Sequence, residues 1–352
     1  MNELRVGIIG TGSISDYHLK SYAKNNRVRI EAICDLNEAR AAQAAERYGA
    51  AKVYTDAAAL LADRDIDAVS VCTWNNTHAA FSIAALRAGK HVLVEKPLAT
   101  SVADALAIQE AVRETGRTLM VGFVRRYDDN ARMIKQFVDA GEFGDLYYAK
   151  ASTIRRNGNP GGWFADRERS GGGPLIDIGV HVVDLAWYLM GRPKPVSVSA
   201  NTYHALGNRA NVKYLSTYKA ADYDPTHNSV EDMANALIRF DNGASLYVDV
   251  SFSLHAAKNE SMVKLYGTRG GFELEPETRM VTEKFDTILN IAPQTDAPSL
   301  DIDKAFRNEI DHFVACCLTG ETPISPVEDG VAVMRMLSAV YESAAAGAEI
   351  RL

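Results

Sequence analysis

Asp177, His181 and Asp184 stand four and three positions apart in a run whose composition reads as a helix. Steps of i, i+4 and i, i+3 put the three on one face, so a carboxylate lies beside an imidazole. That pairing can orient the ring and tune its basicity, as a general base removing a hydroxyl proton requires. The same spacing fits a helix face of satisfied polar groups, and Asp, His and Asp are also possible metal ligands. No further ligand cluster stands out, so no metal is expected. Lys96 is a second proton-active group, closing an apolar run in Glu95-Lys96-Pro97. Its ammonium can hydrogen-bond a substrate hydroxyl and stabilise a developing alkoxide. An ordinary surface lysine, or an ion pair with Glu95, is the competing reading.

Gly10-Thr11-Gly12-Ser13-Ile14-Ser15 follows a β-rich run and opens a helix. The first glycine permits a tight turn and the second lets a pyrophosphate approach the backbone. The helix N-terminus then offers N–H groups and partial positive charge. Ser15 replaces the usual third glycine and is small enough for close helix–strand packing. A second β-rich run ends at Asp35, 25 residues after Gly10. A carboxylate there accepts hydrogen bonds from the adenosine ribose and repels a 2′-phosphate, so NAD is expected over NADP. Arg40 weakens that preference if it swings towards the ribose. Thr73 and Asn75 lie just past the fourth strand, where α/β sheets bind ligands. The expected cofactor-lining set is Gly10, Gly12, Ser13, Ile14, Asp35, Arg40, Thr73, Asn75, His78, Glu95 and Lys96. Asn76 or Thr77 equally fits a helix N-cap, and packing competes with ligand contact at His78.

These residues need a frame, and 352 residues favour two domains over one core. Over residues 1–124, β-rich runs at 6–9, 30–35, 53–54, 68–72, 91–95 and 118–124 alternate with helical stretches at 37–48, 77–88 and 102–115. That alternation predicts right-handed βαβ crossovers and an α/β Rossmann-type, doubly wound parallel sheet. Residues 125–352 read differently, with helices at 128–140, 174–190, 304–319 and 329–346. Strand-like runs fall at 146–154, 196–202, 234–240, 244–252, 262–266 and 272–274, with a hairpin signal at Asp241-Asn242-Gly243. An α+β domain on an antiparallel or mixed sheet is expected, with a long polar loop over 205–228. Arg156, Asn157 and Trp163 lie between strand 146–154 and the helix carrying His181. They line a pocket for a hydroxyl-rich ring, or form a Gly/Pro-rich surface loop.

The bulk composition narrows the partners. Thirty-eight basic and 45 acidic residues give a formal charge of −7, no electrostatic reason to expect nucleic acid or anionic membrane. Cys34, Cys72, Cys316 and Cys317 show no Cys-x-x-Cys spacing. No apolar stretch approaches a bilayer-spanning length. The first residues carry no secretion-signal pattern, so the cytoplasm is the expected location.

Together these motifs resemble the Gfo/Idh/MocA family of oxidoreductases, which includes glucose–fructose oxidoreductase and inositol 2-dehydrogenase. The resemblance rests on Gly10–Ser15, Thr73–His78, Ala88-Gly89-Lys90-His91-Val92 running into Glu95-Lys96-Pro97, Gly122–Asp128 and Gly171–Asp184. It implies a second domain built on a large, mostly antiparallel sheet and a homo-oligomer, dimer or tetramer. It also implies that Lys96, Asp177 and His181 match the family's catalytic lysine, aspartate and histidine. Arg125 or Tyr127 then borders the active site, because Gly122–Asp128 is similar to the corresponding stretch of inositol dehydrogenases. Trp74 departs from the proline many members carry, which puts the local pocket shape in question. The implied activity is oxidation of a secondary hydroxyl of a sugar or cyclic polyol by hydride transfer to NAD. His181 or Lys96 is the proton acceptor, and the residues alone do not separate the two. A glycoside hydrolase with tightly bound NAD and a non-catalytic nucleotide-binding sensor are the alternatives.

Overall fold

Short runs rich in Val, Ile and Leu become strands when both their faces can be covered. In the computed structural model, which describes residues 3–352, six such runs form one parallel sheet. They are β1 (Leu4–Ile9), β2 (Val28–Cys34), β3 (Lys52–Tyr54), β4 (Ala68–Val71), β5 (His91–Glu95) and β6 (Leu119–Gly122). The order β3-β2-β1-β4-β5-β6 reverses between β1 and β4, the switch point at which such sheets bind ligands. The doubly wound sheet expected from the alternation is therefore present, with strand ends within a few residues of the expected ones.

The chain divides into two compact units. One extends to Tyr127 and also takes in Ile302–Met334, while the other comprises Asp128–Asp301 and Arg335–Leu352. Residues 302–334, which lie beyond the expected boundary near residue 124, thus pack with the first unit. Helix Ile302–Thr319 buries Phe306, Ile310, Phe313 and Val314 on one face. Ile310, Phe313 and Val314 join Leu4, Val6, Leu19 and Tyr22 in the first unit's core, and Phe306 stacks on Tyr17 at 4.8 Å. Farther along, the Val121 N–H donates to Ser325 O at 2.9 Å, extending the edge beside β6. An apolar helix face seeks the nearest uncovered apolar surface, and sequence distance does not limit that search.

The second unit holds nine strands: β7 (Leu146–Ile154), β8 (Pro195–Tyr203), β9 (Met233–Phe240), β10 (Ser245–Ser251), β11 (Glu260–Gly267), β12 (Gly270–Glu273), β13 (Arg279–Lys284), β14 (Thr287–Ile291) and β15 (Ile350–Arg351). Their order is β14-β13-β12-β11-β7-β10-β9-β8-β15, antiparallel throughout except for the β7–β10 pair. The Asp241-Asn242-Gly243 signal holds, with Gly243 at φ +83 between β9 and β10. The β13–β14 hairpin was not expected. Its turn residues Phe285 and Asp286 sit at φ +53 and +57, a left-handed pair without the Asn-Gly that normally announces it.

Candidate active site

The first unit supplies a cradle at the carboxyl ends of β1, β2 and β4. Gly10 has φ +93, and a Cβ there would lie 2.6 Å from Cys72 O, so only glycine fits this turn. Gly12 caps helix Ser13–Tyr22 without any side-chain cap, and a Cβ on it would meet nothing within 4 Å. The helix N-terminus therefore faces open space, while Ile14 packs against the core below. Ser13 is exposed in the first turn. Positive partial charge and backbone N–H groups suit a pyrophosphate at this end. Helix Glu38–Tyr48 begins beyond β2 and is capped by Asn37.

Asp35 is buried at the end of β2 and binds four donors. Its Oδ2 accepts from the Thr11 N–H at 2.8 Å and the Thr11 hydroxyl at 2.7 Å. Its Oδ1 accepts from the Asn37 N–H at 2.8 Å and the Arg40 guanidinium at 2.9 Å. Burial works against its charge, yet the Asn37, Thr11 and Arg40 donors hold it below the usual carboxylate range. Arg40 is thus clamped to Asp35, and a ribose hydroxyl must replace one of these donors. A glycine turn followed by an acidic β2 end is the arrangement Rossmann sheets use for a dinucleotide.

After β4, Thr73 accepts a hydrogen bond from the Thr77 hydroxyl at 2.7 Å. Asn75 is buried and begins a 3₁₀ turn that runs to Thr77. Trp74 stands at φ −68 and ψ 148, values proline itself adopts, so the departure from proline leaves the backbone path unchanged. His78 corrects the expected cofactor set. It is fully buried, with Nδ1 2.7 Å from Pro97 O and Nε2 3.1 Å from Thr73 O. Burial pushes its pKa down against these two carbonyls. A neutral ring can donate to one of them, so His78 ties the two loops together from behind.

Glu95 also lies beneath the surface. Its Oε2 accepts from the Lys96 N–H at 3.1 Å, and its Oε1 lies 2.8 Å from His18 Nε2. His18 Nδ1 is 3.2 Å from Ser70 Oγ, which is 2.9 Å from the Tyr22 hydroxyl. Burial disfavours charge on both members of the pair. Cys72 and Glu95 nevertheless raise the His18 pKa well above that of a free imidazole, and His18 lowers that of Glu95. The Cys72 thiol is itself pushed up by burial and stays protonated, so Glu95 is the counter-charge. The pair forms an anchored floor beneath Lys96, whose side chain is half-buried at the strand end. Sequence reasoning missed His18. Its signal is the buried face Ser15, His18 and Tyr22 of the first helix.

Tyr127 is a further correction, being 1% exposed, with its hydroxyl 2.9 Å from Ser325 Oγ and 3.2 Å from Met120 Sδ. Its side chain is core and secures residues 302–334 to the sheet. Arg125, two residues earlier in the turn Val124–Tyr127, is half-buried.

In the second unit the expected helix 174–190 is two segments. Leu175–Gly179 is a π-helical turn and Val180–Leu189 is α-helical, so the α spacing assumed for Asp177 and His181 does not apply across their junction. Single π turns recur at functional sites because the wide turn re-aims side chains. Every residue from 172 to 190 is buried except Asp177 and His181. Asp184 is 1% exposed, which separates it from the other two. Glu231, unforeseen in the sequence, caps this segment: Oε2 accepts from the Gly173 N–H at 3.0 Å and Oε1 from Leu175 N–H at 3.2 Å. The Tyr341 hydroxyl donates to the same carboxylate at 2.9 Å. Burial raises the Glu231 pKa against these donors. A Cβ on Gly173 would lie 2.5 Å from Glu231 O, which explains glycine there. Of the loop residues, Trp163 pairs with Phe164 at 3.9 Å, and Arg156 and Asn157 line a separate cavity.

A Rossmann sheet with this glycine turn and acidic β2 end, joined in one chain to a large mixed sheet, defines a nucleotide-dependent oxidoreductase. Residues 4–123 match the oxidoreductase family model GFO_IDH_MocA, with its NAD-binding Rossmann fold, and residues 135–352 match its C-terminal alpha/beta domain. The chain belongs to this family. It is 32% identical to D-glucoside 3-dehydrogenase of Escherichia coli (strain K12), over 99% of this chain and 97% of that one. It is 30% identical to scyllo-inositol 2-dehydrogenase (NAD(+)) of Bacillus subtilis (strain 168), over 92% and 89%. Among solved structures, aldose-aldose oxidoreductase from Caulobacter crescentus, complexed with glycerol, superposes with a TM-score of 0.83 at 27% identity, covering 99% of this chain and 100% of that one.

Proposed function

We propose that this chain is an NAD-dependent dehydrogenase oxidising a secondary hydroxyl of a sugar or cyclic polyol in the cytoplasm. The observation that carries the reading is that Asp177 and His181 alone are only partly buried in an otherwise buried helical stretch from 172 to 190. A polar pair held open in this way, at the cost of apolar packing, serves chemistry better than stability. The glucoside and inositol dehydrogenase relatives support the substrate class.

In this reading residues 1–124 serve the cofactor and 125–352 the substrate. The Gly10–Ile14 backbone, Asp35, Arg40, Thr73 and Asn75 hold NAD, which supplies a hydride acceptor when bound. His181 takes the substrate hydroxyl proton, and Asp177 orients its ring. Lys96 stabilises the developing alkoxide from a strand end that Glu95 and His18 hold in place. Arg125 and Trp163 contribute to the substrate surroundings.

The test is absorbance at 340 nm with NAD or NADP offered against inositols, aldoses and anhydrosugars. Reduction of NAD by one polyol class is the expected result, and nucleotide binding without turnover across the panel would refute the dehydrogenase. In the same assay Asp35→Ala should lose about 10–100-fold in kcat/KM with NAD, the worth of a hydrogen bond to a charged group. The loss with NADP should be smaller, because the freed Arg40 can meet a 2′-phosphate.

We also propose a homo-oligomer assembled through the second unit's sheet. Helix Val180–Leu189 packs against β7, β10 and β11. Alternation along the strands leaves Tyr148, Lys150, Tyr247 and Tyr266 incompletely buried on the opposite face. Light scattering should give a multiple of 38.4 kDa, reduced towards one chain by Tyr247→Glu. A wild-type monomer would remove the proposal.

A further inference from the structure

The Asp177 backbone hangs from Glu231 through two hydrogen bonds. Glu231 Oε2 accepts from the Gly173 N–H at 3.0 Å, and Gly173 O accepts from the Asp177 N–H at 3.0 Å. Gly173 O also takes the Ile176 N–H at 3.1 Å, so both polar groups of this glycine are committed. Pro174 brings no N–H, and the next donor, Leu175, goes to Glu231 Oε1 at 3.2 Å. The carboxylate thus takes the amides that start the helical segment, and its charge suits that positive end.

Glu231 is itself fixed on two sides. The next residue, Asp232, donates its N–H to Tyr203 O at 2.7 Å, and its carbonyl accepts from the Phe252 N–H at 2.9 Å, which ties Glu231 to the sheet. The Tyr341 hydroxyl donates to Oε1 at 2.9 Å, and the Arg167 guanidinium lies 5.0 Å from the Tyr341 ring centre. Glycine leaves room for this clasp. A Cβ on Gly172 would collide with the Tyr341 hydroxyl, and one on Gly173 would lie 3.1 Å from the Glu231 carboxyl carbon. All of these residues belong to the second unit. Glu231 is 1% exposed, and burying a carboxylate is costly even with three donors around it. An apolar side chain would fill the space without that cost, so what the carboxylate adds is geometry.

The π turn Leu175–Gly179 shows which geometry is at stake. Its ladder spans one residue more than that of an α-helix, and one residue of slip in an α-helix is a rotation of about 100°. Relaxation of the turn to α geometry would therefore swing Asp177 about the axis relative to His181. We propose that Glu231 is a positioning residue: by holding Gly173 it keeps the π turn wound and sets where the Asp177 carboxylate stands relative to His181. The proposal rests on the dehydrogenase reading, in which Asp177 orients the His181 ring, and adds the group that orients Asp177.

Kinetics of the full-length protein test it. Glu231→Ala should lower kcat roughly 10–100-fold, the effect of misplacing a reacting group by about an ångström, with KM and NAD affinity close to the parent's. Because Glu231 acts through Asp177, Glu231→Ala combined with Asp177→Asn should be no slower than Asp177→Asn alone. Tyr341→Phe removes one donor and leaves Glu231 its two amides, so it should show the same pattern with a smaller loss. It also stands in if Glu231→Ala does not fold. Losses that multiply in the double variant, or that appear in KM instead of kcat, would overturn the positioning role. The NMR signal of the His181 ring, assigned by its disappearance in His181→Ala, reads the same coupling without turnover. It should move in Glu231→Ala and in Tyr341→Phe, and an unmoved signal would also overturn the role. A wild-type protein inactive against every sugar and polyol refutes the dehydrogenase reading, and the His181 signal alone then decides whether Glu231 sets the pair.

Discussion

His181→Ala is expected to lower kcat by roughly 10²–10⁴-fold, the usual contribution of a positioned general base. The glycine turn and Asp35 belong to the first unit, so NAD affinity should stay close to that of the parent. His181 is only half-buried, whereas its neighbours Val180, Val182 and Val183 are packed, so alanine at this position leaves the apolar packing of the helix in place. The fold should therefore survive, and the loss should be read in kcat. Substrate offered at alkaline pH, where hydroxyls ionise more readily, should recover part of the rate. Turnover within a few-fold of wild type would remove His181 from the proton-transfer role. Asp177→Asn should produce a smaller loss, because it disturbs the ring's orientation without removing the base.

His18→Gln should destabilise the first unit by about 3–5 kcal/mol, the cost of leaving a buried partner charge alone. Glu95 would then remain beneath Lys96 with its carboxylate uncompensated, and kcat should fall because the lysine's strand end is no longer anchored. His18→Gln combined with Glu95→Gln should recover much of the stability, since two amides can hydrogen-bond without charge. Urea unfolding of the four proteins closes that double-mutant cycle. A single variant as stable as the parent would show that the pair carries no charge role.

The pH dependence follows from the two opposite shifts. The raised His18 pKa contributes stability that is fully present below the unfolded value of 6.5 and is lost as pH rises through the folded value. The lowered Glu95 pKa contributes stability present above the unfolded value of 4.5 and lost as pH falls through the folded one. The pair's contribution therefore spans the interval from near 4.5 up past 6.5. In His18→Gln the alkaline loss should disappear from the unfolding profile.

Local chemistry made much of this protein legible before any fold was known. Short β-rich runs alternating with helical stretches announced the Rossmann sheet and its helices, because each depends on neighbours a few residues away. Gly10 and Gly12 marked the cofactor turn through backbone geometry, and Asp241-Asn242-Gly243 marked a hairpin through the same kind of rule. Asp35, Lys96, Asp177 and His181 could be picked out as candidates because their positions follow from motif spacing. What the tertiary structure alone decided depends on residues far apart in the chain. Helix Ile302–Thr319 joins the first unit because its apolar face finds β1 and the first helix. His18 meets Glu95 across 77 positions, and Glu231 caps the helix carrying His181 from more than 50 residues away. Tyr127 looked like a site residue and became core, since burial is set by what packs against a residue and not by its type. The Phe285-Asp286 turn was hidden because its left-handed backbone is enforced by strand pairing instead of by glycine. Short-range rules act through covalent geometry and hold in any context. Long-range pairing is chosen by the whole core at once, and only the folded chain reveals it.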